Sequence, residues 1–297
     1  MNDLTIDRLR EGPFGPARPV VSLPVEDVIA KYREKCGADV ARWFGGNREI
    51  HLYECAATGY RFWRPESIAG DEAFYRHLSA LWRDYYRTDR WEYALVRPLL
   101  PAGARVLEVG CGRGYFLRSI EGQARDALGL ELNKRAIADK VTRFEVVAQP
   151  VDVIARAQAG GFDAVVSFQV LEHVIDPRGF LDACVACLRP GGLLAVATPN
   201  HDSAVLAHRD DAFDLPPHHM GHFTAQAYRQ IAPLIGMRLE RIEVERRYFE
   251  LTDRVTERLR RRFHYRAARR LASLAMDFAY RAGGEPGNNI LAVMRKP

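Results

Sequence analysis

Apolar spacing divides the chain into a short mixed front, a long regular middle and a charged tail. Residues 1 to about 24 carry Pro13, Pro16, Pro19 and Pro24 with little periodicity, which predicts an extended leader. "VEDVIAKYREKCG" has helical spacing and stops at Gly37, so it predicts a short helix. "REIHLYECAATGYRFWRP" alternates apolar and polar positions around Ala57-Thr58-Gly59, the pattern of a hairpin. From Asp71 the spacing of Phe74, Leu78, Leu81 and Trp82 is helical again, and "RWEYALVRPLL" predicts a second helix running toward Pro101.

The middle is different in kind. "ARVLEVG", "DALGLEL", "RFEVVA", "FDAVVSF" and "LLAVATP" are short apolar runs that predict strands. Between them lie the helical segments "YFLRSIEG", "NKRAIADKV", "VDVIARAQ" and "PRGFLDACVACLR". Strands alternating with helices predict an α/β fold, a mostly parallel sheet covered by helices on both faces. Such sheets bind ligands in the crevice at the carboxyl ends of their strands. "TAQAYRQIAPLIG" then predicts a helix, "MRLERIEVERR" a strand, residues 252–283 a basic helical pair, and "NNILAVMRKP" a terminal strand. The organisation expected is an N-terminal extension over 1–69 and a main domain over 70–297, with 252–283 inserted as a lid or a dimer surface.

Composition narrows the class without naming the chemistry. The chain has 297 residues, 47% hydrophobic and 27% charged, enough for a sizeable core. The first twenty residues mix acids with bases and hold no apolar run, so no secretory signal is expected, and nothing approaches the roughly 20 apolar residues of a membrane span. A cytoplasmic location is the expectation. The five cysteines, Cys36, Cys55, Cys111, Cys184 and Cys187, lack disulfide-like spacing and read as reduced thiols. The net charge of +5 is uneven, with arginines crowded between Arg241 and Arg270. Such a stripe suits an anionic small substrate, nucleic acid, a membrane surface or plain solvation.

The densest chemical signal is "VLEVGCGRGYFL", Val106 to Leu117. Gly110, Gly112 and Gly114 stand between a strand and a helix, where glycine allows a sharp turn and close approach of a ligand to backbone amides. The third glycine comes one residue too early for the dinucleotide fingerprint, which disfavours a nicotinamide-dependent dehydrogenase. The next strand ends at Glu131, where a carboxylate can hold both hydroxyls of a nucleoside ribose.

With these segments the chain resembles a class I S-adenosylmethionine-dependent methyltransferase. The resemblance rests on "VLEVGCGRG" (106–114), "LGLEL" (128–132), "FDAVVSFQVLEHVIDP" (162–177) and "LRPGGLLAVATPN" (188–200), in the family's order. It implies a Rossmann-like seven-stranded sheet with "NNILAVMRKP" inserted antiparallel as the last hairpin strand. It implies that Gly110, Cys111, Gly112 and Gly114 line the methionine part of S-adenosylmethionine, with Glu108 beneath the loop. Glu131 and Leu132 would take the ribose side, Val151 the adenine through its backbone, and Gln169 the sulfonium side. Cys111 is expected to pack under the loop, and Cys184 and Cys187 to pack within their helix.

The acceptor is less constrained. After the fourth strand the chain reads Ser167-Phe168-Gln169-Val170, which lacks the Asn/Asp-Pro-Pro-aromatic motif of amide and adenine N6 methylases and the cysteine of cytosine C5 methylases. Glu172 and His173 follow at the mouth of the site. His173 is expected to act as a general base or to orient the acceptor, because imidazole titrates near neutral pH. Some relatives hold a divalent cation with Glu-x-x-Glu-His and a distant histidine; a cation at Glu172 and His173 is the minority reading, since Gln169 stands at the first position and an amide is a poor ligand for a hard ion. "PPHHMGHFT" then places His218, His219 and His222 after the fifth strand, with Asn200 before them. His219 and His222, with His173, are candidates for handling the acceptor's proton; Glu172, Asn200 and His218 are candidates for holding the acceptor. Thr224 also reads as a helix N-cap.

At the N-terminus, Cys36 and Cys55 resemble a zinc ribbon that has lost its second ligands, and two cysteines do not complete a structural site. Tyr86, Arg90 and Trp91 precede the first core strand as candidates for cofactor or substrate contact, with core packing the expected role of Trp91. The reading overall is O-methylation of a small molecule such as a sugar, a polysaccharide precursor or a secondary metabolite. The alternatives are an RNA or protein methyltransferase gripping its polymer with the 252–283 helices, and a cofactor-binding module without turnover.

Overall fold

The computed structural model describes residues 10–81, 88, 90–202, 212–245, 258–259, 264, 267, 270–271, 274–275 and 287–297. Most of the basic helical pair (252–283) and Tyr86 lie outside the described residues.

The chain begins with β1 (Arg10–Gly12) and β2 (Gly15–Pro24), continues through α1 (Val25–Cys36), and returns as β3 (Glu49–Cys55) and β4 (Arg61–Arg64). The expected leader is therefore wrong from Arg10 onward: β1 pairs antiparallel with the start of β2, and β2 pairs antiparallel with β3 from Ala17 to Pro24. β1 covers only Gly15, Pro16 and Ala17 of β2, so most of that strand is a sheet edge. Proline is tolerated there because a missing N–H faces no partner, and the ladder slips in register between Pro19 and Val21. The expected helix and hairpin are both present. α2 (Glu72–Leu81) follows and lies with α1 on one face of this sheet, over Ile50, Leu52 and Trp63.

The main sheet starts after α3 (Trp91–Val96). In chain order it contributes β5 (Arg105–Val109), α4 (Tyr115–Ser119), β6 (Asp126–Leu130), α5 (Lys134–Ala138), β7 (Glu145–Val147), α6 (Val151–Ala157), β8 (Phe162–Phe168), α7 (Pro177–Cys187) and β9 (Leu188–Pro199). Then come β10 (Gly221–His222), α8 (Ala225–Leu234), β11 (Arg238–Val244) and β12 (Asn289–Arg295). The seven strands run in the order β11-β12-β9-β8-β5-β6-β7. β12 is antiparallel to both β9 and β11, while β5 to β9 are parallel.

Alternation along the strands sorts the core into two layers. Leu107, Val109, Val165, Leu194 and Val196 face α6, α7 and α8; Val106, Val166, Leu193 and Ala195 face α3 and α4. Burial on both faces explains why these strands read as continuous apolar runs. Thr224 caps α8 as expected, its hydroxyl accepting from the Ala227 N–H at 3.0 Å. Trp91 packs against the second layer, and Cys184 and Cys187 are fully buried in the first. Among the described residues no helix is long and apolar enough to cross a membrane.

β10 ties the two sheets together. It pairs with β4 through Gly221–Phe62 and His222–Arg61, while Asn200 at the end of β9 bridges to Phe223. Tyr60 lies 4.7 Å from Phe223 between ring centroids, and Phe223 stacks on Tyr228 of α8. The front sheet is thus welded to the carboxyl end of β9 in the main sheet. Its two cysteines serve different cores: Cys55 lies in the cluster with Tyr60 and Phe223, Cys36 against the α1 and α2 side.

Candidate active site

A cavity of about 1270 Å³ opens over the carboxyl ends of β5, β6, β8 and β9. Typical small-molecule pockets run from about 300 to 1,000 Å³, so this one has room for a cofactor and a second ligand together.

Its first half is built by the glycine loop. The amides of Gly110 and Cys111 both donate to Leu130 O, at 2.8 and 2.9 Å, which folds the loop back over β6. Gly110 has φ 74°, and a Cβ there would run into the Val170 side chain. Gly114 has φ 77° for another reason: its missing side chain makes room for Thr142, and it does not line the cavity. Cys111 is buried with its sulfur against Gly129, and burial pushes its thiol far above the ordinary range. It packs beneath the loop, as expected. Glu131 accepts from the Gly112 N–H through Oε2 and from the Asn133 N–H through Oε1, each at 2.8 Å. Burial raises its carboxyl, with those two hydrogen bonds working the other way. Leu132 is largely exposed at the rim, and Val151 lines the same end at the start of α6.

Buried carboxylates floor this half. Glu108 is 2% exposed, and its Oε2 has no hydrogen-bond partner. Burial drives its carboxyl well above the usual range, against the opposing pull of the Arg90 guanidinium. Gln169 takes a left-handed backbone (φ 58°) at the turn out of β8 and sends its Nε2 to Glu92 Oε1 at 3.3 Å. Arg90 and Tyr93 complete the wall, with Glu92 behind it as the partner of Gln169. Of these, Glu92 and Tyr93 had no signal in the sequence beyond membership of an amphipathic helix.

The second half is assembled from distant segments. Glu172 and His173 sit in a short turn, Leu171–His173, after β8. His218 and His219 come from the segment before β10, and Lys35, Asp71 and Tyr75 reach in from the front sheet's helices. His173 Nδ1 lies 2.7 Å from His218 O, His218 Nδ1 3.1 Å from Phe213 O, and His219 Nδ1 3.1 Å from Asp214 Oδ1. Those oxygens only accept, so each Nδ1 carries the proton and each Nε2 presents a lone pair. Burial lowers His173 to about 4 and holds His218 well below its ordinary value, so both are neutral imidazoles near pH 7. Burial raises Glu172 to about 8. Its Oε1 is 3.8 Å from His173 Nε2, and its Oε2 has no hydrogen-bond partner.

Two expected acceptor residues do not reach the cavity. His222 is held in β10, with Nε2 3.1 Å from Asp214 O and its ring stacked on His201 at 3.9 Å. Asn200 is 1% exposed and donates to Gly287 O at 3.1 Å. Strand pairing spends both on joining the two sheets. Asp214, by contrast, lines the cavity and orients His219, and Glu245, Asn288 and Asn289 form its far end. A lone aspartate in a long loop gave no sign of either role.

Residues 79–241, more than half of the chain, match the family described as Methyltransferase domain. Among curated proteins, the ubiquinone biosynthesis O-methyltransferase of Xanthomonas axonopodis pv. citri (strain 306) is 39% identical over 127 residues, which are 40% of this chain and 52% of that protein. The protein of the same name from Acinetobacter baumannii (strain AYE) is 33% identical over 109 residues, 34% of this chain and 46% of its own length. The chain spans about half the length of the curated relatives it matches. Among solved structures, a SAM-dependent methyltransferase from Archaeoglobus fulgidus shares the fold at a TM-score of 0.51 and 20% identity, over 75% of this chain and 100% of the other. Glycine loop, the carboxylate following β6, strand order and family match agree, and the chain belongs to the class I S-adenosylmethionine-dependent methyltransferases.

Proposed function

We propose that the protein transfers a methyl group from S-adenosylmethionine to an oxygen of a small molecule. The observation that carries this reading is the continuity of the cavity from Glu131 and the glycine loop to His173, His218 and His219. In-line displacement needs donor and acceptor in one water-poor space, with the nucleophile held close to the methyl carbon. The front sheet's helices close the acceptor side, which suits a compact acceptor better than a polymer. The relatives named for O-methylation in ubiquinone biosynthesis support oxygen as the accepting atom.

In this reading the backbone of Gly110, Cys111 and Gly112 holds the methionine part, Glu131 the ribose hydroxyls, and Leu132 with Val151 the adenine. Gln169 and the buried Glu108 face the positively charged end of the cofactor, where a carboxylate oxygen without a hydrogen-bond partner gains most from a nearby cation. His173 and His219 stand where the acceptor's proton leaves, and Glu172 and His218 where its body is held.

Calorimetry with S-adenosylmethionine and NAD, followed by transfer of a labelled methyl group to a panel of phenols, catechols and sugars, tests the proposal. S-adenosylmethionine should bind at least tenfold tighter than NAD, Glu131→Ala should weaken it by tenfold or more, and label should appear on an oxygen. Equal affinity for the two cofactors, or an unchanged Glu131→Ala protein, overturns it.

A further inference from the structure

The acceptor half of the cavity is acidic. Asp71, Glu72, Glu172, Asp214 and Glu245 line it. Lys35 reaches into the same half but is paired with Glu34 at 3.0 Å. The most enclosed of these acids is Glu172, 1% exposed, and its Oε2 has no hydrogen-bond partner. Its Oε1 lies 3.8 Å from His173 Nε2, on an imidazole that burial keeps neutral. A buried carboxyl in this position is costly to ionise unless a cation comes to it.

We infer that the methyl acceptor is a small hydroxylated amine, and that Glu172 and Asp214 seat its protonated amino group. This rests on the acceptor lying at this end of the cavity, as proposed above, and adds the charge and class of that molecule.

Like charge is the first support. Burial does most to hold the proton on Glu172, and the charges of Asp214 and Glu92 add to it, against the pull of Arg90. An ammonium in the cavity beside Glu172 and Asp214 replaces that repulsion with attraction to both. Hydrogen-bond direction is the second. His173, His218 and His219 each commit Nδ1 to an oxygen, so their Nε2 atoms accept, as does the Glu172 carboxylate. An ammonium brings three N–H donors and no acceptor, whereas a carboxylate or phosphate would meet only lone pairs. Aromatic surface is the third. Tyr75 and Phe213 line the same wall, with ring centroids 5.4 Å from His173 and 5.2 Å from His218 respectively. Aromatic faces attract an ammonium and disfavour an anion.

The seat also bears on which atom is methylated. An amine held as its ammonium ion has no lone pair to attack the methyl carbon, so a hydroxyl on the same molecule is left as the nucleophile.

Calorimetry on the full chain saturated with S-adenosylhomocysteine tests this with two sets of probes that differ in charge. One set is dopamine, 4-propylcatechol and 3,4-dihydroxyphenylacetate; the other is glucosamine, glucose and glucuronate. In at least one set the amine should bind about tenfold or more tighter than the neutral member, with the anion weakest. Glu172→Gln should bring the amine down to the affinity of the neutral member and leave the neutral member unchanged; a merely structural role would weaken all three alike. Glu72→Gln, at the exposed rim beside Arg76, should keep the preference. S-adenosylmethionine should bind both variants as it binds the wild type, which certifies their fold. Loss of preference for S-adenosylmethionine over NAD defeats the donor reading, whereas an intact donor site without charge preference defeats only the seat. The inference is overturned by amines that bind no tighter than their neutral members in both sets, or by equal losses in Glu72→Gln and Glu172→Gln.

Discussion

The two halves of the cavity are made by opposite strategies. The half proposed for the cofactor comes from neighbouring strands of the main sheet: β5 with its glycine loop, the end of β6 and the turn after β8. Its key contacts are backbone amides, and its shape follows from where glycine is allowed. The acceptor half is drawn from Lys35, Asp71, Tyr75, the Glu172 turn, residues 213–219, Glu245 and Asn289. Its contacts are side chains whose directions depend on carbonyls several elements away. One half is a property of a motif; the other is a property of the whole fold, and each should fail separately.

The largest expected separation comes from Gly110→Ala. A non-glycine residue in the left-handed region costs about 1–2 kcal/mol, and the new methyl would meet Val170, an overpacking that costs typically about 1–3 kcal/mol. The loop should shift, S-adenosylmethionine should bind more than tenfold more weakly, and the melting temperature should fall. The KM for the methyl acceptor should stay as in the wild type. If donor affinity and acceptor KM worsen together, the halves are one mechanical unit and the contrast is lost.

The same contrast governs what could be read from the sequence. The strands of the main sheet were legible because burial on both faces makes them apolar throughout, and Thr224 because a cap is a local event. Glu131 was legible because its place at a strand end is fixed by the chain alone. The acceptor half was not. His218, His219 and His222 look alike in one line of sequence, yet β10 pairing turns the last toward Asp214 O and His201. The acceptors that orient His173 and His218 are backbone carbonyls, which leave no trace in residue identity. The strand β2 was missed because prolines signal a loop unless the neighbour that leaves them at an edge is known.

A smaller effect sharpens the cofactor half. Burial opposes ionisation of Glu108, so its folded-state affinity for a proton is raised. Below the unfolded value of about 4.3 the group is protonated in both states and costs nothing. As pH rises above that, the unfolded chain releases the proton while the folded one holds it, and stability is lost. Glu108→Gln removes this penalty. Without cofactor, its melting temperature should gain on the wild type progressively as pH rises above about 4. A difference that stays flat over that range would mean another group neutralises Glu108. The same variant should bind S-adenosylmethionine more weakly, because the anion that meets the cofactor's positive charge is gone.

The smallest expected change probes how far the front sheet governs the acceptor half. Leu215 O accepts from the amides of His218 and His219, at 3.1 and 3.2 Å, and from the Tyr32 hydroxyl of α1 at 2.9 Å. Tyr32 is fully buried, so its hydroxyl fixes the turn that presents the two histidines. Tyr32→Phe keeps the ring and removes one hydrogen bond, worth about 1 kcal/mol. The carbonyl retains its two amide donors, so nothing buried is orphaned and the fold should hold. The KM for the methyl acceptor should rise a few-fold, and S-adenosylmethionine affinity should not move. An equal acceptor KM in Tyr32→Phe and wild type would mean that the histidine turn is held by its own segment, and that the front sheet only roofs the cavity.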